Sequence, residues 1–238
     1  MNRFRLLRQI NTPESQSVLG HRGPIDERSL IHFSGDDLAS QFARALGRRK
    51  AVPMKEVLES FEFFAAVRRE VRSRSMADLC AGHGLVGVLF ALYERDVERV
   101  LLVDFKPPAS RAAVLEAAAE VGPWTADKLE CSDARIEEIG TDLDPETSVV
   151  SVHACGGRTD RCIEIGMELR GPIAVMPCCR SHKSSRAPRA VANAVGFDLA
   201  IDIDRTYRMN NAGYKVRWTH VPEAITPMNR VLVGRPAS

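Results

Sequence analysis

Thiols and imidazoles crowd the ends of three short apolar runs in this 238-residue chain. Cys80 and His83 fall in D-L-C-A-G-H-G, His153 and Cys155 in V-H-A-C-G-G, and Cys178, Cys179 and His182 in M-P-C-C-R-S-H. If the runs are neighbouring strands of one parallel sheet, about 4.8 Å apart, their carboxyl ends meet at the crevice where open α/β sheets bind ligands. Three chemistries then compete. His153 titrates near neutrality as a residue type and can take the proton of a hydroxyl or amine acceptor. Cys155, Cys178 or Cys179 can instead add to a carbon that is inert until a thiolate attacks beside it. The Cys/His set can also ligate zinc, but paired C-x-x-C units are missing, so no metal ligand is assigned. For Cys80 and Cys155 a simpler alternative is a small buried residue in a tight turn.

The first run also carries Gly82-x-Gly84-x-x-Gly87 between a short strand, Ser75–Cys80, and an amphipathic helix, Leu85–Tyr93. Glycine there permits positive φ and close approach of a ligand, and the helix start presents unpaired N–H groups. The spacing satisfies the dinucleotide fingerprint. Asp78 argues against it: a carboxylate at the mouth of the strand repels a pyrophosphate and attracts a ligand bearing an ammonium and a sulfonium. S-adenosylmethionine is such a ligand. Asp104, ending the next apolar run, suits ribose hydroxyls in either case.

D-L-C-A-G-H-G-L followed by V-D-F resembles motifs I and II of the class I S-adenosylmethionine-dependent methyltransferases. The resemblance runs from Ser75 to the C-terminus. It implies a Rossmann-like α/β fold with a seven-stranded, mostly parallel sheet in the order 3-2-1-4-5-7-6, strand 7 antiparallel. It also implies Asp78, Ala81, Gly82 and Gly84 around the methionine moiety, Asp104 on the ribose and Asp133 near the adenine amino group. Cys80, His83, Phe105, Ala134 and His153 complete the expected cofactor-binding set, with His153 to Gly156 bordering the methyl. V-H-A-C-G-G-R-T-D and M-P-C-C-R-S-H resemble a subgroup that includes a tRNA ribose 2′-O-methyltransferase, and Met54-Lys55-Glu56 resembles its upstream Lys/Glu element. The cysteine-rich zinc fingers of that enzyme are missing, as is the D-A-P-C signature of the RNA cytosine-5 enzymes.

A net charge of +2 gives no global attraction to nucleic acid, so such a partner must be met by local patches. One candidate is the stretch from 180 to 189, R-S-H-K-S-S-R-A-P-R, within a longer span that holds no acid between Glu168 and Asp198. Lys55, Arg180, His182 and Lys183 are the expected acceptor contacts; a solvated basic loop is the plain alternative. The reading is methyl transfer to an oxygen or nitrogen of an RNA, tRNA-like acceptor. Its rivals are a small-molecule or protein acceptor, and a non-catalytic S-adenosylmethionine- or zinc-binding RNA-binding protein. There is no apolar run long enough for a bilayer, and the thiol usage suits a reducing cytoplasm. Oligomeric state is left open.

To position these residues, the sequence predicts an irregular opening over 1–35, a helix Leu38–Leu46 capped by Asp36 or Asp37 and stopped by Gly47, and a helix Met54–Val71 behind Pro53. Residues 1–74 read as a helical extension and 75–238 as the methyltransferase domain. In the latter, strands are expected at Ser75–Cys80, Arg99–Asp104, Lys128–Cys131, Ser148–His153 and Pro172–Met176. A helix capped by Thr159 runs to Arg170, another spans Ile201–Asn211, and Tyr214–Val221 and Arg230–Gly234 close an antiparallel hairpin.

Overall fold

The computed structural model describes residues 3–15, 18–19, 21, 23–140, 143–178 and 185–237. Seven strands form one sheet in the order β3-β2-β1-β4-β5-β7-β6, as the resemblance implied. They are β1 Ser75–Leu79, β2 Arg99–Val103, β3 Leu129–Ser132, β4 Ser148–Val152, β5 Ile173–Met176, β6 Tyr214–His220 and β7 Arg230–Pro236. β1 pairs in parallel with β2 and β4, and β4 with β5, while β7 runs antiparallel to both β5 and β6. Met76, Ala77, Leu79 and all of β5 are buried, because helices cover both faces of a parallel sheet and leave no polar side to its central strands.

The helices are α1 Leu38–Arg49, α2 Met54–Val71, α3 Leu85–Tyr93, α4 Arg111–Val121, α5 Arg158–Leu169, α6 Arg189–Val195 and α7 Phe197–Asn211. α3 is buried from Leu85 to Leu92, since it lies between the sheet and α2; Phe64 of α2 meets Phe90 of α3 edge to face at 4.9 Å. One apolar core joins the N-terminal segment (Phe4, Leu7, Ile10), α1, α2, α3 and a face of the sheet. Glu62 of α2 holds that segment by accepting the backbone N–H groups of Arg5, Leu6 and Leu7 at 2.8, 3.0 and 3.4 Å.

Several boundaries differ from expectation for identifiable reasons. α1 continues through Gly47, where a Cβ would stand 2.5 Å from Leu30 Cδ2; that glycine serves packing, and the helix stops at left-handed Lys50, φ 48°. Asp37 is the cap, accepting from Ser40 N at 3.0 Å. The opening contains 3₁₀ turns at Arg8–Asn11, Pro13–Ser15 and Glu27–Phe33. Thr159 does not cap α5: Gly157 occupies that position, and the Thr159 hydroxyl donates to Ala154 O at 2.5 Å, bracing the loop after β4. α6 forms in a segment to which the sequence assigned no element, and Gly196, φ 86°, separates it from α7, which starts before Ile201. β1 and β4 each end one residue early because Cys80 and His153 take positive φ, 57° and 67°.

Candidate active site

Those two left-handed residues turn the chain out of the sheet and into the crevice. After Cys80, Ala81 N donates to Val103 O at 2.9 Å and Gly84 N to Ala81 O at 2.8 Å, while Gly82 and Gly84 adopt φ of 53° and 81°. A Cβ on Gly82 would meet nothing within 4 Å, so this turn opens onto space; on Gly87 it would lie 2.3 Å from Leu102 Cδ2. The first glycine thus leaves room for a ligand, and the last lets α3 sit close on β2. Asp104 ties the turn to the next strand: Oδ2 accepts from Gly82 N at 2.9 Å and Oδ1 from Lys106 N at 3.0 Å. Arg111, buried at the start of α4, donates from Nε to Gly82 O at 2.9 Å.

Asp78 corrects the electrostatic premise drawn from the sequence. It lies beneath the turn, 2% exposed, with Oδ2 accepting from Gly87 N at 2.9 Å. Burial pushes its pKa up to about 7, although the Gly87 N–H and the Arg111 charge act against the rise. Rather than a standing negative charge at the strand mouth, it is a floor group whose ionisation a nearby cation would complete.

Two adjoining clefts share Cys80, Asp104 and Arg158. The larger, about 340 Å³, has Asp78, Ala81, Gly82 and His83 on one side and Glu56, Ser60 and His153 on the other. Phe105, Lys106, Ala134, Arg135 and Ile136 line the smaller. Phe105 is 44% exposed, with the Arg135 guanidinium 3.8 Å from its ring centroid. Asp133 is exposed and lines neither cleft, although its neighbour Ala134 lines the smaller. Gly84 is also off the walls, held against Leu102. A buried carboxyl for an ammonium, Asp104 oxygens for hydroxyls, an open aromatic face for a purine and the space over Gly82 together fit S-adenosylmethionine.

Both histidines of the crevice are held by carboxylates of α2. His153 Nε2 is 2.7 Å from Glu59 Oε2, and the other oxygen of Glu59 receives Lys55 Nζ at 2.7 Å. His83 Nε2 lies 3.2 Å from Glu56 Oε2, with its Nδ1 2.9 Å from Ser110 Oγ. Lys55, expected to touch an acceptor, is thus paired inside the protein. The Cys155 and Cys178 sulfurs meet at 3.3 Å, and neither residue is on a cleft wall. Cys80 is turned toward Cys162, whose hydrogen bond, ahead of the Arg158 charge, holds the Cys80 thiol below the usual range. Among the described residues no group of three His, Cys, Asp or Glu side chains is arranged to hold a metal. Cys179, Arg180, His182 and Lys183 lie outside the described residues. Glu59, Arg111 and Arg158 escaped the sequence reading, and Glu56 entered it only through the Lys/Glu element; the signal for Glu59 was its place one turn after Glu56 and one before Glu62 on a largely buried helix.

A family model described as a methyltransferase domain matches residues 53–186. Glutathione S-transferase C-terminal domain-containing protein of Xenopus laevis is 23% identical over 204 residues, which cover 68% of this chain and 31% of that protein. The chain therefore spans about a third of this curated relative. Among solved structures, a Corynebacterium glutamicum protein aligns with a TM-score of 0.51 at 13% identity, covering 89% of this chain and 96% of the other. A SAM-dependent methyltransferase from Aquifex aeolicus aligns with a TM-score of 0.44 at 12% identity, covering 74% and 90%. These structural likenesses concern the fold.

Proposed function

The chain belongs to the methyltransferase-domain family, and from that premise we propose that it transfers the methyl group of S-adenosylmethionine to an oxygen or nitrogen of an RNA, tRNA-like acceptor. The observation that carries this reading is His153: its imidazole stands on the wall of the cleft that the glycine turn and Asp78 floor. Asp78 receives the ammonium, Asp104 the ribose hydroxyls, and Phe105 with Arg135 the purine. When bound, S-adenosylmethionine supplies an electrophilic methyl: the acceptor atom bonds to its carbon, and the sulfonium leaves as a thioether with the electron pair of the broken bond. The chain's remaining tasks are to hold the acceptor in line and to remove its proton, which His153 takes. Among the described residues, Cys155 and Cys178 face each other and line neither of the two clefts, which disfavours covalent addition by either.

RNA is favoured by charge. Beyond β5, Arg186 and Arg189 lie in the acid-free stretch, Arg186 paired with Glu164 at 3.0 Å, and α6 buries no residue. Contacts of that kind bind a polyanion without sequence preference and weaken with salt. In this reading residues 1–74 are a helical extension whose α2 supplies one wall of the site on the domain 75–238, and the protein works in a reducing cytoplasm. No helix among the described residues is long and apolar enough to cross a membrane.

Calorimetry with S-adenosylmethionine and its demethylated product tests the first step; absence of binding would overturn it. Tritium transfer from labelled S-adenosylmethionine into total RNA, protein and metabolite pools tests the acceptor. Counts are expected in RNA, and counts confined to metabolites or protein would overturn that acceptor.

A further inference from the structure

We propose that Glu59 is a positioning residue for the reaction: its carboxylate, with Lys55 on the other oxygen, fixes the tautomer of His153. The inference rests on the reading of His153 as the proton acceptor. It begins from a cost. Glu59 is fully buried on α2, where an ionised carboxylate loses several kcal/mol of hydration. The fold gains no backbone anchorage from it, because its two partners are side chains: Lys55 from its own helix and His153 from the loop after β4, 94 residues away. Burial would push the Glu59 pKa up, but the His153 hydrogen bond and charge, followed by the Lys55 hydrogen bond and charge, hold it below the ordinary carboxyl range.

An ionised carboxylate only accepts hydrogen bonds, so His153 Nε2 at 2.7 Å must carry the proton. The lone pair of neutral His153 is then on Nδ1, which makes no hydrogen bond to the described residues and serves as the base. Left-handed backbone at His153, φ 67°, is a conformation a non-glycine residue adopts at some cost, and the Glu59 bond helps to hold it. After proton uptake the imidazolium remains against a carboxylate, which lowers the cost of forming it. Lys55 on the second oxygen keeps Oε2 turned to the ring. The other titratable or charged groups around this pair in the cleft are Glu56, His83, Asp78, Cys80, Asp104 and Arg158.

The test is ring-nitrogen NMR of His153 across pH in the full chain, for the natural protein, Glu59→Gln and Lys55→Met, alongside calorimetry with S-adenosylmethionine and pH–rate profiles. The natural protein should show neutral His153 protonated on Nε2. In Glu59→Gln, Lys55 draws the amide oxygen and the NH₂ faces the ring, so the proton should move to Nδ1. Turnover should fall by about tenfold or more, with cofactor affinity unchanged. Lys55→Met should keep the proton on Nε2, because Glu59 still accepts it. The same tautomer in the natural protein and Glu59→Gln would overturn the proposal. If Glu59→Gln does not fold, the natural protein decides it alone: neutral His153 protonated on Nδ1 is then the overturning result. A tautomer switch together with a normal rate in His153→Ala would remove His153 as the base, and with it the role of Glu59 in the reaction.

Discussion

Glu59 and Glu62 stand one turn apart on α2, both fully buried, and the chain meets the cost of burying each in a different way. Glu62 is closed in by three backbone N–H groups of the N-terminal segment and is absent from the cleft walls. Glu59 has only mobile-ended side chains as partners, and one of them, His153, faces the cleft. The same division runs through V-H-A-C-G-G-R-T-D. Its His153 goes to Glu59. Its Asp160 goes to Arg205, Nη2 to Oδ2 at 2.8 Å, and to Arg208; Arg205 also reaches Asp202 at 3.2 Å, whose other oxygen accepts Arg230 Nε at 2.8 Å. Buried charge that is satisfied on all sides holds elements together. Buried charge with one partner open to a cleft is available for chemistry.

Removing a member of the closed network should give the largest effect on stability. Arg205→Met leaves Asp160 and Asp202 short of a partner and should cost about 3–5 kcal/mol in urea unfolding, with S-adenosylmethionine affinity per folded molecule retained. His153→Ala should do the reverse: turnover falls about a hundredfold or more with cofactor affinity kept, while the loss of stability stays below that of Arg205→Met because Glu59 retains Lys55. A loss of stability matching that of Arg205→Met would erase the distinction between the two clusters.

The paired glutamates sharpen the comparison through pH. Burial raises the Glu62 pKa above the ordinary 4.5, so the stability it contributes is complete below that value and lost as pH rises through the folded-state pKa. Glu59 is held below 4.5, so its contribution is complete above that value and lost as pH falls through the folded-state pKa. Glu62→Gln should therefore flatten the decline of stability on the alkaline side of 4.5, and Glu59→Gln the decline on the acid side. Guanidine titrations at stepped pH read both; Glu62→Gln should also cost about 1–3 kcal/mol because an amide NH₂ faces donors. The smallest effect belongs to the aromatic platform: Phe105→Ala should weaken S-adenosylmethionine binding by about 0.5–1.5 kcal/mol, seen calorimetrically with no change in unfolding.

Much of this arrangement could be read from local pattern. α2 and α3 begin and end as expected, and the order of strands follows once D-L-C-A-G-H-G-L and V-D-F are placed. The glycine turn and Asp104 are legible for the same reason: positive φ and an acid at a strand end depend on a few consecutive residues. Gly47 shows where such rules fail, since it looks like a helix stop but is needed for contact with Leu30. Asp133 matches a motif by position, but its side chain is exposed and lines neither cleft.

What the sequence by itself determined is the alternation of strands and helices, the glycine turn and the gathering of acids and imidazoles at one edge of the sheet. Only tertiary structure decided that Asp78 is a buried carboxyl with a pKa near 7, that Cys155 meets Cys178, and that Glu59 and Glu56 each hold a histidine. Backbone conformation responds to neighbours along the chain. Protonation and hydrogen-bond partnership respond to desolvation and to groups brought close from dozens of residues away, which no local spacing records.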